Sequence, residues 1–359
     1  MFQKALIVML VCMLAVAPGI GAAGSVKADQ CTVTTGQMLI DAGQYAQAVA
    51  EFTCVIDAQP MQVEGYRGRS EASLLLGQYT DAQRDYILIT ALILPEYPEA
   101  EDSLLAGYDA RLAAEPDSIP ALTGLSFAHW YFFNYTAAIQ TLNHLLALQP
   151  DSVYGSLLRG SSRLLHHGSA KAKGIADLER AIQLAPDNAD VRYIVADAYT
   201  YGLPDPQRAF TEASLALGWG LDTPRVHAIL ASSYNAFGDR LSAAQHIKTH
   251  IDLVTTELVS TNPLDPGTTD TLELVAGRTY AIPVPATAGE LISITTGSSD
   301  FWDSILVLVG PDGTPVLGSD DTNFYFAAFD WTAEATGIYS LQVTSFESVS
   351  TGELVVTRN

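Results

Sequence analysis

Positive charge is scarce in this chain: 18 Lys and Arg stand against 40 Asp and Glu, a net charge of −22. Without a basic stripe nothing can replace the counterions along a phosphate backbone, so a nucleic-acid partner is excluded. Charge-driven binding to an anionic membrane is excluded for the same reason. Long apolar runs are scarce too. The one run, residues 5–17, is 13 residues long, and a membrane span needs roughly 20. It follows the short basic start Met1-Phe2-Gln3-Lys4 and precedes small residues, the pattern of a signal peptide over residues 1–28. Cleavage is expected after Ala28 or after Ala23, with an uncleaved anchor as the alternative reading of the run. Cys12 lies in that run, so the mature chain keeps only Cys31 and Cys54. The expected location is secreted, periplasmic or cell-surface, an oxidising setting without a membrane span after cleavage.

Catalytic signatures are absent as well. There is no Gly-x-Ser-x-Gly and no phosphate-binding glycine loop with Lys. His246 and His250 have metal-ligand spacing, but Ile247 stands where a metalloprotease places Glu, and no third ligand is placed. They read as packing or surface histidines, as do His166 and His167. No enzyme is expected.

What is present is a repeat. Gly43-Gln44-Tyr45, Ala48 and Phe52 return as Gly77-Gln78-Tyr79, Ala82 and Tyr86, a period of 34 residues closed by Pro60 and Pro95. This pattern resembles the tetratricopeptide repeat (TPR), in which each unit is two antiparallel helices. The junctions Pro116-Asp117-Ser118, Pro150-Asp151-Ser152 and Pro186-Asp187-Asn188 continue it, proline ending one helix and the polar residues capping the next. The expected α-solenoid covers 29–258, with repeats at about 29–62, 63–96, 119–152, 153–188, 189–223 and 224–257. An extra helix at 99–114 interrupts it. In that frame Cys31 lies near the start of one helix and Cys54 near the end of its antiparallel neighbour, so a disulfide is expected, two buried thiols being the alternative. A bond closing that loop would contribute roughly 3 kcal/mol.

Residues 259–269 turn to Ser, Thr, Asn, Pro and Gly and read as a linker. Beyond them the period alternates, with strands expected at 271–275, 278–284, 290–296, 304–309, 314–317, 338–345 and 353–357. Gly277-Arg278-Thr279-Tyr280, the Ser304–Leu308 run before Pro311-Asp312-Gly313, Ser319-Asp320-Asp321, and Thr336-Gly337-Ile338-Tyr339 before Leu341-Gln342-Val343 carry a second resemblance. They are similar to the bacterial pre-peptidase C-terminal (PPC) domain. The expected fold is therefore multidomain α + β: an all-α TPR-like solenoid, then an all-β jelly-roll-like sandwich over 270–359.

The TPR resemblance implies a concave wall formed by the first helix of each unit. Carried over by position, it places Glu64, Arg67, Glu71, Phe127, Trp130, Tyr131, Tyr154, Tyr193, Asp197, Tyr201 and Arg225 in a protein-binding groove. Aromatic anchors with occasional Arg suit peptide recognition. The family's carboxylate clamp needs Lys in the groove, and those positions hold none. Asp300, Asp303, Asp312, Asp320, Asp321 and Asp330 crowd one end of the expected sandwich and read either as turn formers or as calcium ligands. No other cofactor is implied. The leading expectation is a non-catalytic scaffold that binds a protein or peptide. The alternative is an attachment module whose sandwich binds a surface glycan, matrix or protein, with the repeats as spacer.

Overall fold

The computed structural model describes residues 31–90, 100–166, 170–275, 277–297, 304–319, 328–345 and 352–359. The signal segment 1–28 with both cleavage positions, Pro95, His167, Asp300, Asp303, Asp320 and Asp321 lie outside these residues. Among the described residues thirteen helices precede nine strands. The chain falls into two compact units, residues 1–125 and 126–359.

The first unit begins with α1 (Val33–Asp41), α2 (Tyr45–Ala58), α3 (Val63–Leu76) and α4 (Tyr79–Leu88). Gly36 and Gly68 explain their packing. A Cβ would lie 2.6 Å from the Phe52 ring at Gly36 and 2.2 Å from it at Gly68. Only glycine lets the fully buried Phe52 ring slot between α1 and α3, where it meets Ile40, Ala48 and Ala72. Cys31 and Cys54 form a disulfide, with Cα atoms 6.0 Å apart, across the start of this packing. Then comes α5 (Ala100–Ala114), the extra helix expected from sequence. The next helix, α6 (Ile119–Tyr131), crosses the boundary between the units.

The second unit continues with α7 (Tyr135–Leu148), α8 (Val153–Leu165), α9 (Lys171–Leu184), α10 (Ala189–Asp197), α11 (Pro206–Gly218), α12 (Pro224–Phe237) and α13 (Arg240–Val254). A polar strap recurs in the two units. Arg69 on α3 bonds Asp85 on α4 at 2.6 Å and Thr53 on α2 at 3.3 Å. Arg159 on α8 likewise bonds Asp177 on α9 at 2.8 Å and Asn143 on α7 at 3.0 Å. Each arginine thus ties its helix to the one before and the one after, with the two-toothed geometry that makes Arg–carboxylate pairs specific.

The strands are β1 (Glu257–Ser260), β2 (Thr269–Leu274), β3 (Arg278–Ala286), β4 (Leu291–Gly297), β5 (Ser304–Val309), β6 (Pro315–Ser319), β7 (Ala328–Thr332), β8 (Gly337–Ser345) and β9 (Gly352–Arg358). One sheet runs β1-β3-β8-β5-β6 and the other β2-β9-β4-β7. Between them lie Ile282, Val284, Ile292, Ile294, Leu306, Leu308, Leu341, Val343, Leu354 and Val356, all buried. Two strands had no counterpart among the sequence expectations. β1 pairs parallel to β3, so residues 257–260 enter the sheet at the edge of the expected linker. β7 pairs antiparallel to β4. The following stretch is packed too: Leu264 joins the sandwich core, and the buried Arg358 guanidinium donates to its carbonyl at 2.9 Å.

Strand β5 is buried on both faces. Leu306 and Leu308 point into the sandwich core. Ile305, Val307 and Val309 point the other way and share a second core with Ala228 and Ala231 of α12 and Ile247 and Ile251 of α13. This double burial explains an unbroken apolar Ile305–Val309 run where a sheet with one wet face would alternate. Gly318 on the neighbouring β6 sets the closeness of the contact, because a Cβ there would lie 2.7 Å from Ile247 Cδ1 and 3.1 Å from its Cβ. Gly318→Ala should therefore push α13 off the sheet and lower stability by about 1–3 kcal/mol, as overpacking does. Chemical denaturation measures this; wild-type stability in the variant would contradict the docking.

Candidate functional site

The second unit gathers aromatic side chains around one arginine. The turn between α6 and α7 starts it. Phe133 has φ 59°, the left-handed region, and is the one non-glycine there among the described residues. Its register is instructive. Phe133-Asn134-Tyr135 aligns with Gly43-Gln44-Tyr45, Gly77-Gln78-Tyr79 and Gly238-Asp239-Arg240, and the three glycines have φ of 72°, 78° and 81°. This backbone conformation suits glycine and costs an L-residue roughly 1–2 kcal/mol. Phe133 nevertheless occupies it with its ring 78% exposed. Such strain concentrates at functional positions. Asn134 caps α7 by accepting from Ala137 N, and the Phe133 ring meets Tyr135 edge-on at 6.2 Å.

Tyr135 is half-buried and lies within the electrostatic reach of Asp197 and Arg225. Burial first, and the Asp197 carboxylate second, push its phenol up to about 12, so it remains a neutral donor. Asp197 ends α10, and the chain then widens into one π-helical turn, Ala198–Gly202. Gly202 lets that turn press on α8, since a Cβ there would lie 2.8 Å from the Leu164 carbonyl carbon. The widened turn carries Tyr201, 44% exposed. Single π turns recur at functional sites because they re-aim a side chain without breaking the helix. Arg225, in the first turn of α12 behind Pro224, completes the set. Its Nε is 3.1 Å from Asp197 Oδ1, and its Cζ lies 5.2 Å from the centre of the Tyr201 ring. Salt bridge and cation–π contact together fix the guanidinium.

The expected groove residues divide into two groups. Asp197, Tyr201 and Arg225 come together, and Tyr131, half-buried, ends α6 just before Phe133. Phe127, Tyr154 and Tyr193 are interior, at 1%, 7% and 3% exposure. Tyr154 bonds Ser126 at 2.9 Å and Trp130 donates to Ser161 at 3.2 Å, so these two hold α6 against α8. Tight stacking of small-residue helices draws these rings inside, which corrects their assignment to the wall. In the first unit Glu71 is also interior, bonded to Arg111 at 2.7 Å, and Arg67 lies over the Tyr108 ring at 5.6 Å, so α5 covers both. Glu64 lies half-buried in the first turn of α3. Phe133 and Tyr135 lie outside the first-helix positions that the resemblance carries over. The register of the turn, with Phe where its sisters have Gly, held the signal.

The histidines and acids fill other roles. His246 and His250 do not act together. His250 Nδ1 donates to the Pro224 carbonyl at 2.9 Å. His246 Nδ1 meets His227 Nδ1 at 2.8 Å, and His227 Nε2 donates to Asp222 at 2.9 Å. The carboxylate fixes the His227 proton on Nε2, which leaves Nδ1 to accept from His246. Asp312 accepts from Thr314 N at 3.0 Å and from its hydroxyl at 2.7 Å, the turn-forming role. Asp330 lies exposed on β7, opposite Ser293. Among the described residues no group of three metal-ligating side chains occurs, and no helix is long and apolar enough to cross a membrane.

No family model and no curated protein matches the chain. Among solved structures it is similar to a tetratricopeptide repeat protein from Parabacteroides merdae, at 15% identity over 62% of this chain and 77% of that one, with a TM-score of 0.37. It is also similar to a thermophilic TPR protein from Thermus thermophilus, at 18% identity over 56% and 97%, with a TM-score of 0.35. Its C-terminal part is similar to the pre-peptidase C-terminal domain of a collagenase from Bacillus anthracis, at 14% identity over 28% and 94%, with a TM-score of 0.25.

Two measurements check the local chemistry. Phe133→Gly relieves the left-handed strain, partly offset by the greater freedom of an unfolded glycine, and should stabilise the protein by about 1 kcal/mol. A destabilised variant would show that the Phe133 ring is packing rather than display. Burial and the neighbouring His227 push His246 down to about 4 from its ordinary 6.5. Its contribution is complete above pH 6.5. As pH falls from 6.5 to 4 the unfolded chain takes up a proton that the folded chain refuses, so stability drops across that window and levels below it. Denaturation midpoints across pH for wild type and His246→Asn should converge at low pH; parallel curves would contradict the assignment.

Proposed function

We propose that the chain is a non-catalytic interaction protein whose Phe133, Tyr135, Tyr201 and Arg225 receive a segment of a partner protein. The observation that carries this reading is Phe133, a large apolar ring exposed on a strained backbone where three sister turns use glycine. Folding alone gives no reason to retain it, whereas binding does. Aromatic rings around a held Arg are the composition of interface hot spots. The repeated helix pairs supply a stiff platform. The Cys31–Cys54 bond supports an extracytoplasmic setting for this binding, because such bonds persist in oxidising compartments.

The shared core of α12, α13 and β5 decides how to test the proposal. Cutting the chain into a helical half and a sheet half would expose Ile305, Val307 and Val309, so the whole chain must serve as bait. Immobilised wild type and the Tyr201→Ala/Arg225→Ala double variant should be compared against envelope extract of the source organism. The double variant should retain less than about one tenth of any discrete partner, the scale of a single hot-spot loss. Equal capture by a folded double variant would contradict the proposal.

A further inference from the structure

Two histidines from neighbouring helices converge in the second unit. His227 lies in the first turn of α12 and His246 in the second turn of α13. Their Nδ1 atoms are 2.8 Å apart, and their rings are tilted by 32°. Both rings are held. His227 Nε2 donates to the Asp222 carboxylate at 2.9 Å, and the Tyr234 ring stacks on His246 at 5.5 Å, 15° from parallel. Both helices are fixed at this point as well: Ala228 and Ala231, close to His227, and Ile247, next to His246, belong to the core shared with β5. His227 is buried and His246 half-buried, so the pair lies at the rim of that core. His250, one turn further along α13, is committed to the Pro224 carbonyl.

This arrangement has the parts of a two-ligand metal site. A ligating imidazole commonly gives its far N–H to a carboxylate, which fixes the tautomer and raises the basicity of the near nitrogen. Asp222 does this for His227, whose Nδ1 therefore turns a lone pair toward His246. In the structure His246 donates to that lone pair. Carrying its proton on Nε2 instead is a change of tautomer, not of charge, and small rotations of the rings then aim two lone pairs at one ion. The spacing selects the ion. At a metal–nitrogen distance of about 2.0–2.1 Å, two nitrogens at a right angle stand ~2.9 Å apart, and two at the tetrahedral angle ~3.3 Å apart. The observed 2.8 Å is nearer the right angle of tetragonal cupric sites than the tetrahedral angle of zinc. Divalent copper also heads the affinity order for such donors. We propose that His227 and His246 bind one divalent copper ion, that water completes its coordination, and that Asp222 is a positioning residue for His227. The ion bridges α12 to α13. The site shares no residue with the aromatic cluster around Arg225, and neither reading depends on the other.

Cu2+ titrated into the full-length chain near neutral pH tests this. The first equivalent bound by wild type should show coupling to two imidazole nitrogens in electron paramagnetic resonance. His246→Asn should weaken that binding at least tenfold and leave coupling to no more than one nitrogen. Asp222→Ala, which removes no ligand, should also weaken it about tenfold, the scale of a lost outer partner. His144→Gln, at an exposed histidine of α7, should change nothing. Retention in His246→Asn, or loss in His144→Gln, would mark an adventitious surface ion and overturn the proposal. Unchanged affinity in Asp222→Ala would overturn the positioning role. Wild type alone decides the matter if a variant does not fold. Substoichiometric Cu2+ should broaden the imidazole resonances of His227 and His246 before those of the other histidines; equal broadening of all seven overturns the site.

Discussion

The burial of β5 on both faces is the constraint on which the second unit depends. Leu306 and Leu308 complete the sandwich, and Ile305, Val307 and Val309 complete the last helix pair. A stack of helical repeats must cover the apolar face of its terminal unit, commonly with a polar capping helix. Here a sheet performs that task. The consequence reaches the candidate site through α12. Ala228 and Ala231 of this helix sit in the shared core, and Arg225, one turn earlier, meets Asp197 and Tyr201. The arginine is thus presented from an element clamped by the sheet, which keeps a small constellation in one geometry.

Strain and flexibility are distributed unevenly around that clamp. The turns at Gly43, Gly77 and Gly238 relax into the left-handed region, whereas Phe133 is forced there. The π turn at Ala198–Gly202 is a second departure from regular helix, and it lies beside Asp197. The second unit thus holds two local irregularities, each presenting an exposed aromatic ring, Phe133 and Tyr201. The first unit shows the opposite condition, with its face closed by α5 and its acid Glu71 neutralised inside.

Much of the fold was legible because its cause is local. The Gly, aromatic and Ala positions that recur every 34 residues are the positions where helices touch, so their spacing reads out as helix pairs. The disulfide followed from the same frame. β1 was not legible, because four largely exposed residues gain their strand state only by pairing with β3. β7 carries Asp330 within a short run and depends in the same way on β4. The unbroken apolar run of β5 did hold the news that its outer face is covered, but a strand read alone does not name what covers it. The site was half legible. Position within a repeat nominated Asp197, Tyr201 and Arg225, which the fold brings into contact, and also Phe127, Tyr154, Tyr193 and Glu71. Small-residue packing and α5 place these four inside, and neither is encoded at the positions themselves.

The most direct test of the account is site-specific photo-cross-linking in the source organism. A benzophenone amino acid would replace Phe133 in one sample and the exposed Gln140 of α7 in another. The account predicts a discrete adduct to one partner protein from position 133 and none from position 140. Identical adduct patterns from the two positions, or no adduct from position 133 in a folded protein, would contradict it.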